Sequence, residues 1–495
     1  MDNVYRSFYT KNNYITKYMV SMIAPTPSDK ILEPCGGDGV FIDTMLELGQ
    51  SLNIDTCDLN IEAVETLKRK YSYNEKIKIR LTDTLMDEVF DRYAENGHYD
   101  KIVGNPPYGG WQEYDRRDEL KKKYNGFYVK ETYSLFLLRC VSILRNKGVL
   151  SFIIPDTFLF LHNHTALRKY LLENTKIKEI LIFPSKFFPG VSFGYSNLSI
   201  ITVEKTHSTH DALNNTFNVI KGLKVDRDIE RIGLRSNIDD LETITLTQRD
   251  VYNNEHHAFI LSNDILSDII SNCETKLGDI AECVTGIYTG NNLGYMGVVD
   301  ASVKNSKDYP VVPVDLIDFN CNSLQGTDEA YKYIPIIKSS SSTKYVRIGN
   351  DWLIDWSKDA IKHYNTDKKA RFQNSSYYFR TGIGLPMVKS SKINATLMVN
   401  RVFDQSIVGI FPKDEKHLYF LLGFLNSDIA NKLIHLINPT ANNSSNYLKK
   451  LPVILTVDSD LEYITSLVKT IVETGNIDKG HDKINEYFNH LFNIE

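Results

Sequence analysis

The sequence predicts an α/β protein: a doubly wound, mostly parallel sheet over the first two hundred residues, then a mixed α+β domain. Three observations predict it. Short apolar runs alternate with helical patterns up to about residue 203, the runs are apolar throughout, and the alternation stops after the polar stretch 206–215. Strands apolar on both faces and separated by helices belong to a parallel sheet covered on both sides.

Strands are expected at 30–32, 54–58, 77–81, 101–104, 149–154, 178–183 and 198–203. Helices are expected at 14–23, 40–47, 61–71, 132–145 and 165–174. The last two strands are joined by a loop with no helical pattern, so they should pair antiparallel. Three regions follow: 1–210 as the sheet domain, 211–260 as a connecting segment and 261–495 as the second domain, closed by helices near 418–437 and 461–473.

With 495 residues, 42% hydrophobic and 24% charged, the chain is an ordinary globular protein of two or three domains. The start has no basic segment leading into an apolar run, and no apolar stretch reaches the roughly 18 residues that a membrane crossing needs. A cytoplasmic protein with no membrane partner is expected. The six cysteines form no CxxC pair and no zinc-like spacing with histidine, so no metal is expected and they read as small buried hydrophobes. A net charge of −5 argues mildly against a nucleic-acid partner, but the distribution matters more. Residues 331–410 hold thirteen Lys/Arg against five Asp/Glu, interleaved with aromatics, which suits a polyanion surface.

The first strand runs into Glu33-Pro34-Cys35-Gly36-Gly37-Asp38-Gly39. Glycines between a buried strand and a helix let backbone come within contact distance of a ligand. The dinucleotide fingerprint GxGxxG fails, because its third glycine would fall on Ile42. Acids then end three successive strands: Glu33, Asp58 and Asp83. They suit a ligand with an amine, a ribose and an adenine, such as S-adenosylmethionine; the alternative is that they cap helices.

The fourth strand ends in Gly104-Asn105-Pro106-Pro107-Tyr108. Consecutive prolines make a rigid extended segment whose carbonyls have no competing N–H. The Asn105 side-chain oxygen and the Pro106 carbonyl can accept both hydrogens of an amino group on a conjugated ring and favour its nucleophilic shape. Tyr108 can stack on that ring. An Asn-Pro turn at a strand end is the plainer reading.

These motifs, in this order, resemble the gamma class of DNA N6-adenine methyltransferases, the TaqI-like modification enzymes. The resemblance implies the class I S-adenosylmethionine-dependent methyltransferase fold, S-adenosylmethionine as cofactor, and a C-terminal target-recognition domain. It places Thr10 of the Phe8-Tyr9-Thr10 segment at the cofactor carboxylate, Glu33 at its amine, Asp58 at the ribose and Asp83 at the adenine. Pro34, Cys35, Gly37 and Asn105 complete the cofactor site. The catalytic set is Asn105, Pro106, Pro107, Tyr108 and Phe188, the last with Phe187 and Phe193 as rivals. Residues 286–291 and 421–427 look like recognition-domain segments of the class. The loop here is richer in glycine than in many relatives. Double-stranded DNA is the implied substrate, with the target base turned out of the helix, and a cognate restriction endonuclease the implied partner of a monomer. Trp111 and the charged segment 115–123 are further candidates to face DNA. Two other readings stand: the same chemistry on RNA adenine or protein glutamine, and a DNA-binding modification subunit that needs a partner.

Overall fold

The computed structural model describes residues 12–109, 114–187, 197–236, 240–262, 265–339, 341, 343–347, 349–388, 393–438 and 443–494. Two compact units divide the chain, residues 1–263 and 264–495.

In the first unit α1 (Asn13–Ile23), β1 (Lys30–Glu33), α2 (Val40–Leu46), β2 (Asn53–Asp58), α3 (Ile61–Tyr71), β3 (Ile77–Leu81), α4 (Glu88–Asn96) and β4 (Tyr99–Gly104) form the first half. Then come α5 (Tyr114–Lys123), α6 (Thr132–Ile143), β5 (Leu144–Pro155), α7 (Thr165–Asn174), β6 (Thr175–Pro184) and β7 (Asn197–Lys205). The unit closes with α8 (Thr209–Leu213), β8 (Thr216–Lys221), α9 (Asp228–Gly233), β9 (Glu242–Thr247) and α10 (Gln248–Asn253). Among the described residues, nine strands make one sheet in the order β3-β2-β1-β4-β5-β7-β6-β8-β9. Its first five strands are parallel, and β7 runs antiparallel between β5 and β6. The strand order reverses between β1 and β4, so their carboxyl ends flank the crevice where doubly wound sheets bind ligands.

Local chemistry sets the helices that frame this crevice. Asn60 caps α3, its side chain accepting from the Glu62 N–H, and Lys68, Arg69 and Lys70 occupy the last turn, where cations suit the helix dipole. The helix α6 is apolar on nearly every side and is buried accordingly. It ends at Ile143 rather than at 145, because Leu144 already begins the long strand β5. Helix α1 is held to the sheet by Tyr18, which donates to the buried Glu179 of β6 while Arg235 pairs with the same carboxylate at 2.7 Å.

Residues 211–260 are not a linker but part of this unit. β8 pairs parallel with β6, and β9 pairs antiparallel with β8. Phe217, Val219, Ile220 and Ile244 are buried there, but Asn218, Lys221, Glu242, Thr243 and Thr245 stand among them, a pattern easily missed in sequence.

The second unit contains α11 (Ile265–Asn272), α12 (Leu277–Ile280), β10 (Ala281–Thr285), α13 (Asn292–Tyr295), β11 (Met296–Val298), β12 (Tyr333–Ile337) and β13 (Trp352–Asp355). After α14 (Lys358–Thr366) come β14 (Gly382–Pro386), β15 (Thr396–Met398), β16 (Val402–Phe403) and β17 (Ile407–Pro412). Helices close the unit: α15 (Leu418–Asn426), α16 (Asp428–Ile437), α17 (Ser445–Leu448), α18 (Asp458–Thr474) and α19 (His481–Leu491). Among the described residues the strands pair as two four-stranded sheets, β10-β17-β14-β15 and β11-β13-β12-β16. The apolar run 418–437 is two helices because Ser427 breaks it. Its hydroxyl accepts from the Ala430 N–H to start α16 and donates 2.6 Å to the Phe424 carbonyl. Among the described residues no helix is long and apolar enough to cross a membrane.

Candidate active site

The loop after β1 is built by hydrogen bonds from its own backbone. Gly36 N–H donates to the Cys57 carbonyl (2.8 Å), Gly37 N–H to the Asp58 carboxylate (2.9 Å) and Gly39 N–H to the Gly36 carbonyl (2.8 Å). Tyr71 of α3 donates to the Gly39 carbonyl and to Asp43, and Thr84, just past β3, donates to the Pro34 carbonyl at 2.8 Å. Gly36 is required by space, since a Cβ there would lie 2.3 Å from Thr56 Oγ1 and 3.6 Å from Glu33 Oε2. Gly39 is required by its φ of +84°.

Glu33 is 1% exposed, and its carboxylate accepts a long hydrogen bond from Thr56 Oγ1 at 3.4 Å. Burial pushes its carboxyl well above the usual range against the modest pull of Thr56, and the nearby Asp38, Asp58 and Asp43 push the same way.

Asp58 sits where β2 ends and is already engaged: one oxygen holds Gly37 N–H and the other accepts from Asn60 N–H at 2.8 Å. It shapes the loop, and its remaining lone pairs are available to hydroxyls. Asp83 is more committed than the sequence suggests. Its carboxylate pairs with Arg116 of α5 at 2.6 Å and accepts from Leu85 N–H at 3.0 Å.

At the end of β4 the two motifs meet. Cys35 Sγ donates to the Asn105 backbone carbonyl at 3.3 Å, and a Cβ on Gly104 would lie 3.3 Å from Pro34 Cδ. Thr132 Oγ1 donates to the Pro107 carbonyl (2.7 Å). The Tyr108 ring is 1% exposed and meets Tyr133 edge-on, with centroids 6.5 Å apart. Phe187 stacks on Phe183 and is buried, so it packs as core. Thr10, Phe188, Phe193 and Trp111 lie outside the described residues.

Other residues around this site carry no signal in the sequence. Glu131, Tyr133, Thr157 and His164 form a polar cluster behind the Asn105 loop. Asp156, at the exit of β5, accepts from Asn197 Nδ2 at 3.3 Å, and burial pushes its carboxyl up to about 6. Among the described residues no group of three or more His, Cys, Asp or Glu is arranged to hold a metal ion.

The charged segment 115–123 is divided: Asp118, Glu119, Lys121 and Lys122 are exposed, whereas other side chains are tied to the unit. Besides Arg116, Lys123 pairs with Asp91 at 2.8 Å, and Leu120 is buried. In the basic stretch of the second unit, Trp352, Trp356, Tyr345, Tyr364 and Tyr378 are core. Lys338 lies 4.0 Å from the ring centroids of both Tyr309 and Trp352, and Lys332 pairs with Asp355. Lys358, Lys362, Lys368, Lys369, Arg371 and Arg380 are exposed. Arg371 exchanges backbone hydrogen bonds with Tyr288, which brings this edge to the 286–291 loop. That loop is closely fitted: a Cβ on Gly286 would lie 1.8 Å from the Phe403 carbonyl, and His363 Nε2 lies 2.9 Å from the Thr289 carbonyl.

Residues 7–188 match the family model described as Eco57I restriction-modification methylase. That segment is an Eco57I-like restriction-modification methylase domain. Curated relatives agree with it. Type II methyltransferase M.HincII of Haemophilus influenzae is 28% identical over 192 residues, 37% of this chain and 35% of that protein. Adenine-specific methyltransferase BrxX of Escherichia coli is 23% identical over 395 residues, 77% of this chain and 29% of that protein. The matched segment thus spans about a third of the length of such relatives. Among solved structures, a nuclease-deletion mutant of the Type ISP restriction-modification enzyme LlaGI shares the fold, with a TM-score of 0.58 and 13% identity over 95% of this chain and 55% of that one. The first unit of the chain has the class I methyltransferase fold, with β7 antiparallel between β5 and β6.

Proposed function

We propose that the chain transfers a methyl group from S-adenosylmethionine to the N6 amine of an adenine in double-stranded DNA. The observation that carries this reading is the contact between the glycine loop and the Asn-Pro-Pro-Tyr segment at the switch point, through Cys35 and Asn105. The residues present fit the donor. A buried Glu33 with only a long hydrogen bond from Thr56 suits its amine, the glycine loop is folded tightly against Thr56 and Leu67, and Asp58 keeps lone pairs for a ribose. When bound, S-adenosylmethionine supplies an electrophilic methyl group. Pro34, Cys35 and Gly37 would line its backbone side and Thr10 its carboxylate. Asp83 would take the donor's adenine after exchanging its bond with Arg116.

The chain's own part is positional. The Asn105 side-chain oxygen and the Pro106 carbonyl accept the two hydrogens of the adenine amine and keep its lone pair localised. Thr132 holds the neighbouring Pro107 carbonyl, so the segment cannot rotate freely. Tyr108 and Phe188 would hold the base between rings. A base inside a duplex cannot reach this crevice, so it must be turned out, at a cost of a few kcal/mol. The second unit would read the site, with Lys368, Lys369 and Arg371 beside the 286–291 loop taking phosphates. A restriction endonuclease that recognises the same site would be its natural companion.

The test is transfer of labelled methyl groups from the donor to duplex DNA, to RNA and to a glutamine-containing protein, using the purified chain alone. Incorporation into duplex DNA as N6-methyladenine supports the reading. Incorporation only into RNA or protein rejects it, and incorporation into DNA only after a second protein is added marks a modification subunit.

A further inference from the structure

We propose that Glu131 and His164 are positioning residues that hold the Asn105–Tyr108 segment in one arrangement; this rests on the methyl-transfer reading above. Glu131 immediately precedes α6, and His164 immediately precedes α7. They meet behind the segment, His164 Nε2 lying 2.7 Å from Glu131 Oε2, with the imidazole wholly buried. The hydroxyl of Tyr133 donates to the same carboxylate oxygen at 3.0 Å and reaches Thr157 Oγ1, at the exit of β5, at 3.2 Å.

Two residues of that corner touch the Asn-Pro-Pro-Tyr run. Thr132 Oγ1 holds the Pro107 carbonyl, and the Tyr133 ring meets Tyr108 edge-on. Gly109, with a φ of +103°, passes so close that a Cβ would lie 2.9 Å from Glu131 Cα and from the Lys130 carbonyl. The carboxylate–imidazole pair therefore fixes the first turn of α6, and that turn fixes the segment. A buried hydrogen-bonded polar pair contributes little net stability once its desolvation is counted, but it can select one geometry among several. Apolar side chains of similar size would fill the corner and leave the orientation open. For a reaction that depends on alignment, a misplacement of about 1 Å costs on the order of 10²-fold in rate.

The experiment compares wild type with Glu131→Leu, His164→Phe, the double variant and Glu131→Gln. Three quantities are read: the single-turnover rate of methyl transfer to duplex DNA, donor affinity by calorimetry, and hydrogen exchange of the 104–109 peptide. Each single variant should lose about 10²-fold in rate, with donor affinity unchanged. The double variant should be no slower than the worse single, as expected for residues that act as one unit. Glu131→Gln, which keeps an oxygen for His164 and Tyr133, should recover most of the rate. Exchange should rise at 104–109 and stay unchanged at 33–39. Wild-type exchange at 104–109 in folded variants overturns the proposal, as does a rate loss matched by an equal fall in donor affinity. The exchange measurement needs no methyl transfer, so a wild-type chain inactive on DNA would count against the proposed function and leave the pair to be decided by exchange.

Discussion

Replacing Glu33 with glutamine should move stability and donor affinity in opposite directions. In the free protein the carboxylate is buried, with a long hydrogen bond from Thr56 at 3.4 Å and three other acids nearby. Its folded-state ionisation is raised above the unfolded value, so the stability held with the acid protonated is present at low pH and lost as pH rises through the raised value. Glu33→Gln removes that loss and should flatten the pH dependence of thermal unfolding above the ordinary carboxylate range. Donor binding should suffer. A hydrogen bond to a charged group is worth about 1.5–3 kcal/mol, which corresponds to roughly 10–150-fold in Kd. Binding an ammonium favours the carboxylate, so wild-type affinity should rise with pH through the Glu33 range and then level, and the variant should show no such slope. The decisive assay is calorimetry with the donor and with an analogue lacking the amino group. Wild type should discriminate between them by the full factor and Glu33→Gln should hardly discriminate. Equal discrimination in both proteins would show that the amine is held elsewhere and refute the placement of the donor.

Asn105→Ala should lower turnover by roughly 10²–10³-fold, the usual scale for removing one donor or acceptor aimed at the reacting group, with donor affinity kept; steady-state kinetics beside calorimetry would check it. Gly36→Ala forces a methyl group to within 2.3 Å of Thr56 Oγ1 and 2.9 Å of Leu67 Cδ1, and overpacking of this kind costs about 1–3 kcal/mol. Its midpoint of thermal unfolding should fall by several degrees, and donor binding should weaken with it. Charge reversal at Lys368, Lys369 and Arg371 together should weaken binding to DNA of any sequence. The salt dependence of binding should fall by about one unit for each phosphate that is no longer held, while methyl transfer at saturating DNA is kept; filter binding across a salt series measures this.

The parallel heart of the sheet is legible because β1, β4 and β5 carry short apolar runs that alternate with helical patterns, and the crevice because glycines and Asn-Pro-Pro-Tyr fall where those strands end. The strands β8 and β9 are not, since strands with polar residues among the apolar ones, beside a polar linker, read as loops. The break at Ser427 is hidden inside an apolar run, because one hydroxyl closing one helix and opening the next leaves no trace in periodicity. Within the site, Asp83 reads as available to a ligand, yet it is paired with Arg116, a partner more than thirty residues away on a helix whose charges suggest solvent. Glu131 and His164 are invisible for the same reason: single residues at the starts of two different helices acquire meaning only when the fold brings them together. The aromatic residues of the basic stretch read as surface, but Tyr345, Trp352, Trp356, Tyr364 and Tyr378 go to the core.

Among the described residues the nine-stranded sheet ends in β3 on one side and β9 on the other, and both borders are unattractive to another sheet. The first carries Lys78 and Arg80; the second reads Glu-Thr-Ile-Thr-Leu-Thr. A bare strand border invites another chain to add itself by backbone pairing, and charged or hydroxylated side chains there discourage it. Swapping Lys78 and Arg80 for valine would turn that border into a continuous apolar ribbon. Asp55 would lose its ion pair with Arg80, and at high concentration the protein would begin to join copy to copy along the sheet.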